Sequence, residues 1–188
     1  MPEKPSCSCS RPQSVDKGLV SIFTGDGKGK TTAAIGTAVR AAGHGLRVFM
    51  AFFAKGDEYY RGEANSLQLI PNITTAVCHH KNWIDKDNPK AEDRELAESA
   101  LTAAREAMLS GDYNLIILDE INIAINYGLV SLDDVIEFVK AKPQNVELIL
   151  TGRYAEPELV QMADLVTEMN AVKHPFSKGV KAHRGIDY

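Results

Sequence analysis

Apolar residues in this chain follow two patterns, and each predicts its own element. The first is the short run with no helical period, at residues 18–23, 47–54, 115–118 and 146–151. Residues 47–54 read R-V-F-M-A-F-F-A, continuous rather than alternating, as in a strand covered on both faces. Residues 73–77 and 165–169 read as shorter strands. The second pattern is helical spacing. On 91–110, Ala97, Ala100, Leu101, Ala104, Ala107 and Met108 share one stripe, while Glu92, Arg94, Glu95, Glu98 and Arg105 fall mostly elsewhere as solvated surface. Residues 31–42 form a helix whose Ala34, Ala38 and Ala41 let it press closely on a sheet, and Gly43-His44-Gly45 ends it. Ser131-Leu132-Asp133-Asp134 opens a helix to Lys140, and Pro157 suits the first turn of one to Ala163. Strands alternating with helices on this spacing predict an α/β fold, a mainly parallel sheet with helices on both faces.

Composition narrows the picture to one domain. The chain has 188 residues, 44% of them hydrophobic, enough for a single well-buried core. Residues 1–17 are polar, aperiodic and carry three prolines, so they read as a flexible tail ahead of a domain at 18–188. A formal net charge of -4 argues against nucleic acid as a partner. The N-terminus leads into no apolar leader and no run approaches bilayer length, so a cytoplasmic protein without a membrane partner is expected. Cys7 and Cys9 lie in the tail and Cys78 stands alone, neither a disulfide framework nor a four-ligand zinc spacing.

The chemistry concentrates at G-L-V-S-I-F-T-G-D-G-K-G-K-T-T, residues 18–32. A strand ends in alternating glycines, and Gly-Lys-Thr then opens a helix, the order that holds a polyphosphate. Gly25, Gly27 and Gly29 let backbone N–H groups converge, and the helix adds its positive end. Lys30 brings a point charge and Thr31 a hydroxyl for Mg2+; Asp26, Lys28 and Thr32 complete the loop. The common pattern G-x-x-x-x-G-K-[S/T] would place a glycine where this chain has Thr24. The loop is a short variant and should hold its phosphates differently from an ordinary ATPase.

Two further stretches bear on a site. Asp119 and Glu120 end an apolar strand, as expected of the acidic partner for Mg2+ in a phosphate-loop protein. Residues 55–61 (K-G-D-E-Y-Y-R) leave the end of a strand, where parallel sheets build their sites. Residues 78–90 form an irregular polar segment around Trp83, which either anchors that loop or meets a ligand.

Taken together, the phosphate loop at 24–32, Arg40-Ala41-Ala42-Gly43-His44-Gly45, Lys55-Gly56, Gly62-Glu63, Leu118-Asp119-Glu120, Thr151-Gly152-Arg153 and the closing segments at 172–176, 179–182 and 185–188 resemble the ATP:corrinoid adenosyltransferases of the phosphate-loop type. The likeness spans nearly all of 18–188 and rests on the order of the motifs. It implies a phosphate-loop NTPase (RecA-like) fold and a transferase in which a Co(I) corrinoid attacks the 5′-carbon of ATP, expelling triphosphate and forming adenosylcobalamin or an adenosylated precursor. It further implies a homodimer, nucleotide bound in reversed orientation, and an electron-donating reductase, a flavoprotein or similar. Carried over, Lys30, Thr31 and Glu120 are catalytic; Gly25, Asp26, Gly27, Lys28, Gly29, Lys30, Thr31 and Thr32 cradle phosphates; Arg40, Glu63 and Arg153 are further nucleotide contacts. Thr31, Glu120 and Asp119 surround Mg2+, and Trp83 meets the corrinoid. Relatives often have asparagine where Asp26 stands. Some have phenylalanine where this chain has Lys81, in an aromatic pair that strips the lower ligand from cobalt.

A Co(I) nucleophile carries no proton, and triphosphate needs none if Mg2+ and lysines neutralise it, so no general acid or base is required. Two other readings share the phosphate loop: an ATPase or GTPase switch and a small-molecule kinase. A switch needs a water-positioning residue and, for guanine, an Asn-Lys-x-Asp element, which the sequence does not show.

Overall fold

The computed structural model describes residues 15–53, 62–78, 84–86 and 88–187. The loop at 55–61, Lys81 and Trp83 lie outside the described residues.

Six strands form one sheet: β1 (Val20–Thr24), β2 (Val48–Phe52), β3 (Ile73–Val77), β4 (Leu115–Asp119), β5 (Glu147–Thr151) and β6 (Leu165–Glu168). Their order is β3-β2-β4-β5-β1-β6 and every paired neighbour is parallel. The helices are α1 (Lys30–Gly43), α2 (Gly62–Leu67), α3 (Ala91–Leu109), α4 (Ile121–Asn126), α5 (Leu132–Lys140) and α6 (Pro157–Met162). A short 3-10 turn, Pro175–Lys178, lies in the C-terminal segment.

The continuous apolar runs are explained by two separate cores, one on each face. Side chains alternate along a strand, so Val48, Met50 and Phe52 join Ala34 and Ala38 of α1, while Phe49 and Ala51 join the stripe of α3 and Phe138 of α5. Ala34 and Ala38 are fully buried, as their size allows. The six residues expected on the α3 stripe are its buried ones. The Ser131 hydroxyl accepts from the Asp134 N–H at 3.0 Å and caps α5, and Pro157 occupies the first turn of α6.

Strand β6 differs from the rest. It pairs only with β1, so Leu165 and Val166 stay 46% and 42% exposed. Two helices have no counterpart in the sequence reading. Residues 121–126, I-N-I-A-I-N, alternate as a strand would, yet Glu120 adopts a left-handed turn (φ 62) after β4 and starts α4, burying Ile121 and Ala124 one turn apart. The other, α2, is six residues long, too short to declare a period.

Candidate functional site

Because all strands run in one direction, β1, β4 and β5 deliver their carboxyl ends to one edge, the usual location of a site in such sheets. The phosphate loop leaves β1 at Thr24 and turns through Gly25 (φ 93) and Gly29 (φ 117) into α1. The residue following β6 holds this loop. Met169 donates its N–H to Thr24 O at 2.8 Å and accepts from the Gly27 N–H at 2.6 Å. A Cβ on Gly25 or on Gly27 would come within 2.6 Å of the Met169 carbonyl oxygen, so glycine is a packing requirement here. Lys30 is buried and folds back over the loop, donating to Gly25 O at 2.6 Å and Gly27 O at 2.7 Å.

The acidic pair is built from β4 and β5. Leu118 stands beside Leu150 in register, which brings Asp119 next to Thr151. Asp119 is fully buried; its Oδ1 accepts from Thr151 Oγ1 at 2.7 Å and its Oδ2 from Thr31 Oγ1 at 3.3 Å. Glu120 donates its backbone N–H to Thr151 Oγ1 at 2.9 Å, and the residue lines the cleft. After β5, Gly152 (φ 127) passes close to α4, where Asn122 donates to its carbonyl at 3.1 Å.

These groups border an open cleft of about 990 Å³. Its polar lining comes from the loop from Gly27 to Thr32, Glu63 of α2, Glu120 and Arg153. Its apolar lining comes from Ile35, Ile84, Ile123 and Tyr127. Gly25, Asp26 and Asp119 are not among the lining residues. Arg153 reaches across the loop, its Nη2 donating to Asp26 O at 3.2 Å and its Nε lying 3.7 Å from the Asp26 carboxylate.

Arg40 is not brought to the cleft. It lies ten residues beyond Lys30 on α1, roughly 15 Å along the axis at 1.5 Å per residue, where it lines a smaller cavity with His44, Asn114 and Glu147. Trp83 lies outside the described residues, although its neighbour Ile84 is in the cleft wall.

Two features escaped the sequence reading. One is Thr151, whose only signal was its place before Gly152-Arg153. The other is the C-terminal segment, read only as part of the motif order and given no site residue, whose His174, Ile186 and Asp187 border the cleft. Asp187 pairs with the Lys28 ammonium and accepts from the His183 N–H at 2.6 Å. Among the described residues no group of three or more His, Cys, Asp or Glu is disposed to hold a metal. A cation here would need oxygen from Thr31, Glu120 and a ligand's phosphates.

A family model described as ATP:corrinoid adenosyltransferase BtuR/CobO/CobP matches residues 16–188. A corrinoid adenosyltransferase of Pseudomonas aeruginosa is 34% identical over 173 residues, covering 92% of this chain and 85% of the relative. Those of Escherichia coli K12 and Salmonella typhimurium are each 35% identical, covering 92% of this chain and 87% of the relative. Among solved structures, the flagellar accessory protein FlaH of Methanocaldococcus jannaschii superposes with a TM-score of 0.56 at 15% identity, covering 82% of this chain and 72% of that one. A KaiC-like protein of Pyrococcus horikoshii gives 0.54 at 14% identity, covering 84% and 82%. These structural likenesses bear on fold alone, and they agree with the phosphate-loop NTPase architecture.

Proposed function

The chain belongs to the ATP:corrinoid adenosyltransferase family, and on that premise we propose that it transfers the 5′-deoxyadenosyl group of ATP to a Co(I) corrinoid and releases triphosphate. The observation that carries this reading is the mixed lining of one cleft. A shortened phosphate loop, a carboxylate and several apolar side chains line one space, which suits a ligand pair made of a charged chain and a broad, largely apolar ring.

In the reaction, cobalt of the corrinoid substrate attacks C5′ while the bond from C5′ to the triphosphate oxygen breaks and its electron pair leaves with that oxygen. Cobalt passes formally from Co(I) to Co(III), and no proton moves. The chain's task is therefore alignment and charge stabilisation. Lys30, now bonded to Gly25 O and Gly27 O, sits where it can trade those carbonyls for phosphate oxygens. Lys28 and Arg153 add positive charge beside the loop.

The donor set fits Mg2+. Thr31 and Glu120 would hold it, with Asp119 behind Thr31, and phosphate and water oxygens would fill the remaining positions, an arrangement usual for this hard, reluctantly dehydrated ion. When bound, the ion neutralises charge on the triphosphate. The apolar position of Ile84 supports placing Trp83 against the corrinoid. The exposed edge of β6 and the exposed Phe176 and Ile186 support a second copy packing on this chain as a homodimer. We further assign a cytoplasmic location, with Co(I) supplied by an electron-donating reductase; among the described residues no helix is long and apolar enough to cross a membrane.

The test is direct. Chemically reduced cobalamin, ATP and Mg2+ are mixed with the protein under exclusion of oxygen and light. A corrinoid product whose spectrum passes to that of Co(II) on illumination, and to the aquo Co(III) form once air is admitted, has gained a carbon–cobalt bond. Absence of any light-sensitive product would overturn the reading.

A further inference from the structure

We propose that Thr151 is a positioning residue that sets how Thr31 and Glu120 face the metal–triphosphate. The side chain is fully buried and its hydroxyl is used twice. It gives its one proton to Asp119 Oδ1 at 2.7 Å and accepts from the Glu120 N–H at 2.9 Å. Both partners stand at the junction of β4 and α4, so a single hydroxyl fixes the side chain of one residue and the backbone of the next.

Each bond acts on the cleft in its own way. With Oδ1 held by Thr151, the carboxylate of Asp119 turns Oδ2 to Thr31, whose Oγ1 donates to it at 3.3 Å. A hydroxyl has one proton; once that proton is aimed at Asp119, the lone pairs of Thr31 Oγ1 are left for a cation in the cleft. The second bond holds Glu120 in a left-handed conformation (φ 62, ψ 24) that side-chain-bearing residues seldom adopt. That conformation turns the chain from β4 into α4 and leaves Glu120 in the cleft lining. Thr151 itself does not line the cleft, so it acts through Asp119, Thr31 and Glu120, as supporting groups behind metal ligands commonly do.

This inference rests on the reading that Thr31 and Glu120 hold Mg2+. The experiment therefore measures ATP affinity by calorimetry, without corrinoid, once in excess Mg2+ and once in EDTA, for wild type, Thr151→Ser and Thr151→Val. The ratio of the two affinities reports the metal's contribution separately from that of the phosphate loop. Wild type and Thr151→Ser are expected to share one ratio. Thr151→Val is expected to bind ATP in EDTA within about twofold of wild type while its ratio shrinks by about tenfold or more, the usual loss on removing a supporting group behind a metal ligand. Should the valine variant fail to fold, Thr151→Cys, of similar size and a much weaker donor, is read the same way. An unchanged ratio in the valine or cysteine variant, an equal loss in Mg2+ and EDTA, a serine variant as impaired as valine, or failure of both hydroxyl-free variants to fold would each overturn the proposal. A wild-type chain that binds ATP equally with and without Mg2+ removes the metal assignment itself, and this proposal with it.

Discussion

Gly27→Ala and Gly36→Ala add the same methyl group to neighbouring segments and should change the protein in opposite directions. At Gly27 the new Cβ would lie 2.6 Å from Met169 O and 2.9 Å from the carbonyl carbon of Asn170, both backbone atoms that cannot rotate aside. Restoring an ordinary contact of 3.4 Å moves the loop or the strand end by about 0.8 Å. Such overpacking costs about 1–3 kcal/mol. Stretching the bond from the Gly27 N–H to Met169 O adds about 1 kcal/mol. The displaced atoms are those that would cradle the triphosphate, and a misplacement near 1 Å costs about 100-fold in rate. At Gly36, on the exposed side of α1, nothing lies within 4 Å of the added carbon. Alanine there should raise stability by about 0.5–1 kcal/mol through helix propensity. Thermal unfolding followed by circular dichroism, with kcat/KM for ATP at saturating Co(I) cobalamin, reads both. A Gly27→Ala protein with wild-type melting temperature and a rate within twofold would refute the packing argument. So would a Gly36→Ala protein as impaired as Gly27→Ala.

Lys30→Ala should lower kcat/KM for ATP by about 100- to 1,000-fold, the loss typical of one charge-stabilising donor; steady-state adenosylation measures it. Asp187→Asn frees Lys28 from a competing carboxylate and should lower KM for ATP by up to about fivefold, since a partly exposed ion pair is worth at most about 1 kcal/mol; the gain should shrink in high salt. Lys142 donates to Gly18 O, Pro143 O and Val146 O, tying the start of β1 to the approach to β5. Lys142→Met should therefore cost about 2–3 kcal/mol in urea unfolding. Burial holds the Lys142 ammonium below its ordinary range, outweighing the opposing pull of Glu147 and Asp164. The folded chain thus binds fewer protons there than the unfolded chain, and this residue's contribution to stability should rise as pH climbs toward the ordinary lysine value. Lys142→Met should flatten that rise.

What the sequence made legible was whatever depends on near neighbours along the chain. Residues 48–53 are continuously apolar because two cores claim them alternately, and the α3 stripe needed only the helical period. The loop at 24–32 was readable because its glycines, lysine and threonine act within a single turn. What stayed hidden arises where strands distant in sequence meet. Thr151 matters only because β5 lies beside β4, which a list of strands in chain order does not reveal. Met169 matters because β6 returns to the far side of β1 and ends against the phosphate loop. Asp187 reaches Lys28 from the opposite end of the chain. Arg40, carried over from the family likeness as a nucleotide contact, lies about three turns along α1 from Lys30 and lines a different cavity. The alternation of I-N-I-A-I-N misleads, since the left-handed turn at Glu120 and not local periodicity decides that α4 is a helix.

The central claim is that bond breaking occurs at carbon, and phosphorus NMR of the complete reaction tests it most directly. Protein, ATP, Mg2+ and chemically generated Co(I) cobalamin should yield inorganic triphosphate in amounts matching the adenosylated corrinoid, and none when the corrinoid is withheld. Release of ADP and phosphate as the main products, at a rate indifferent to the corrinoid, would contradict it.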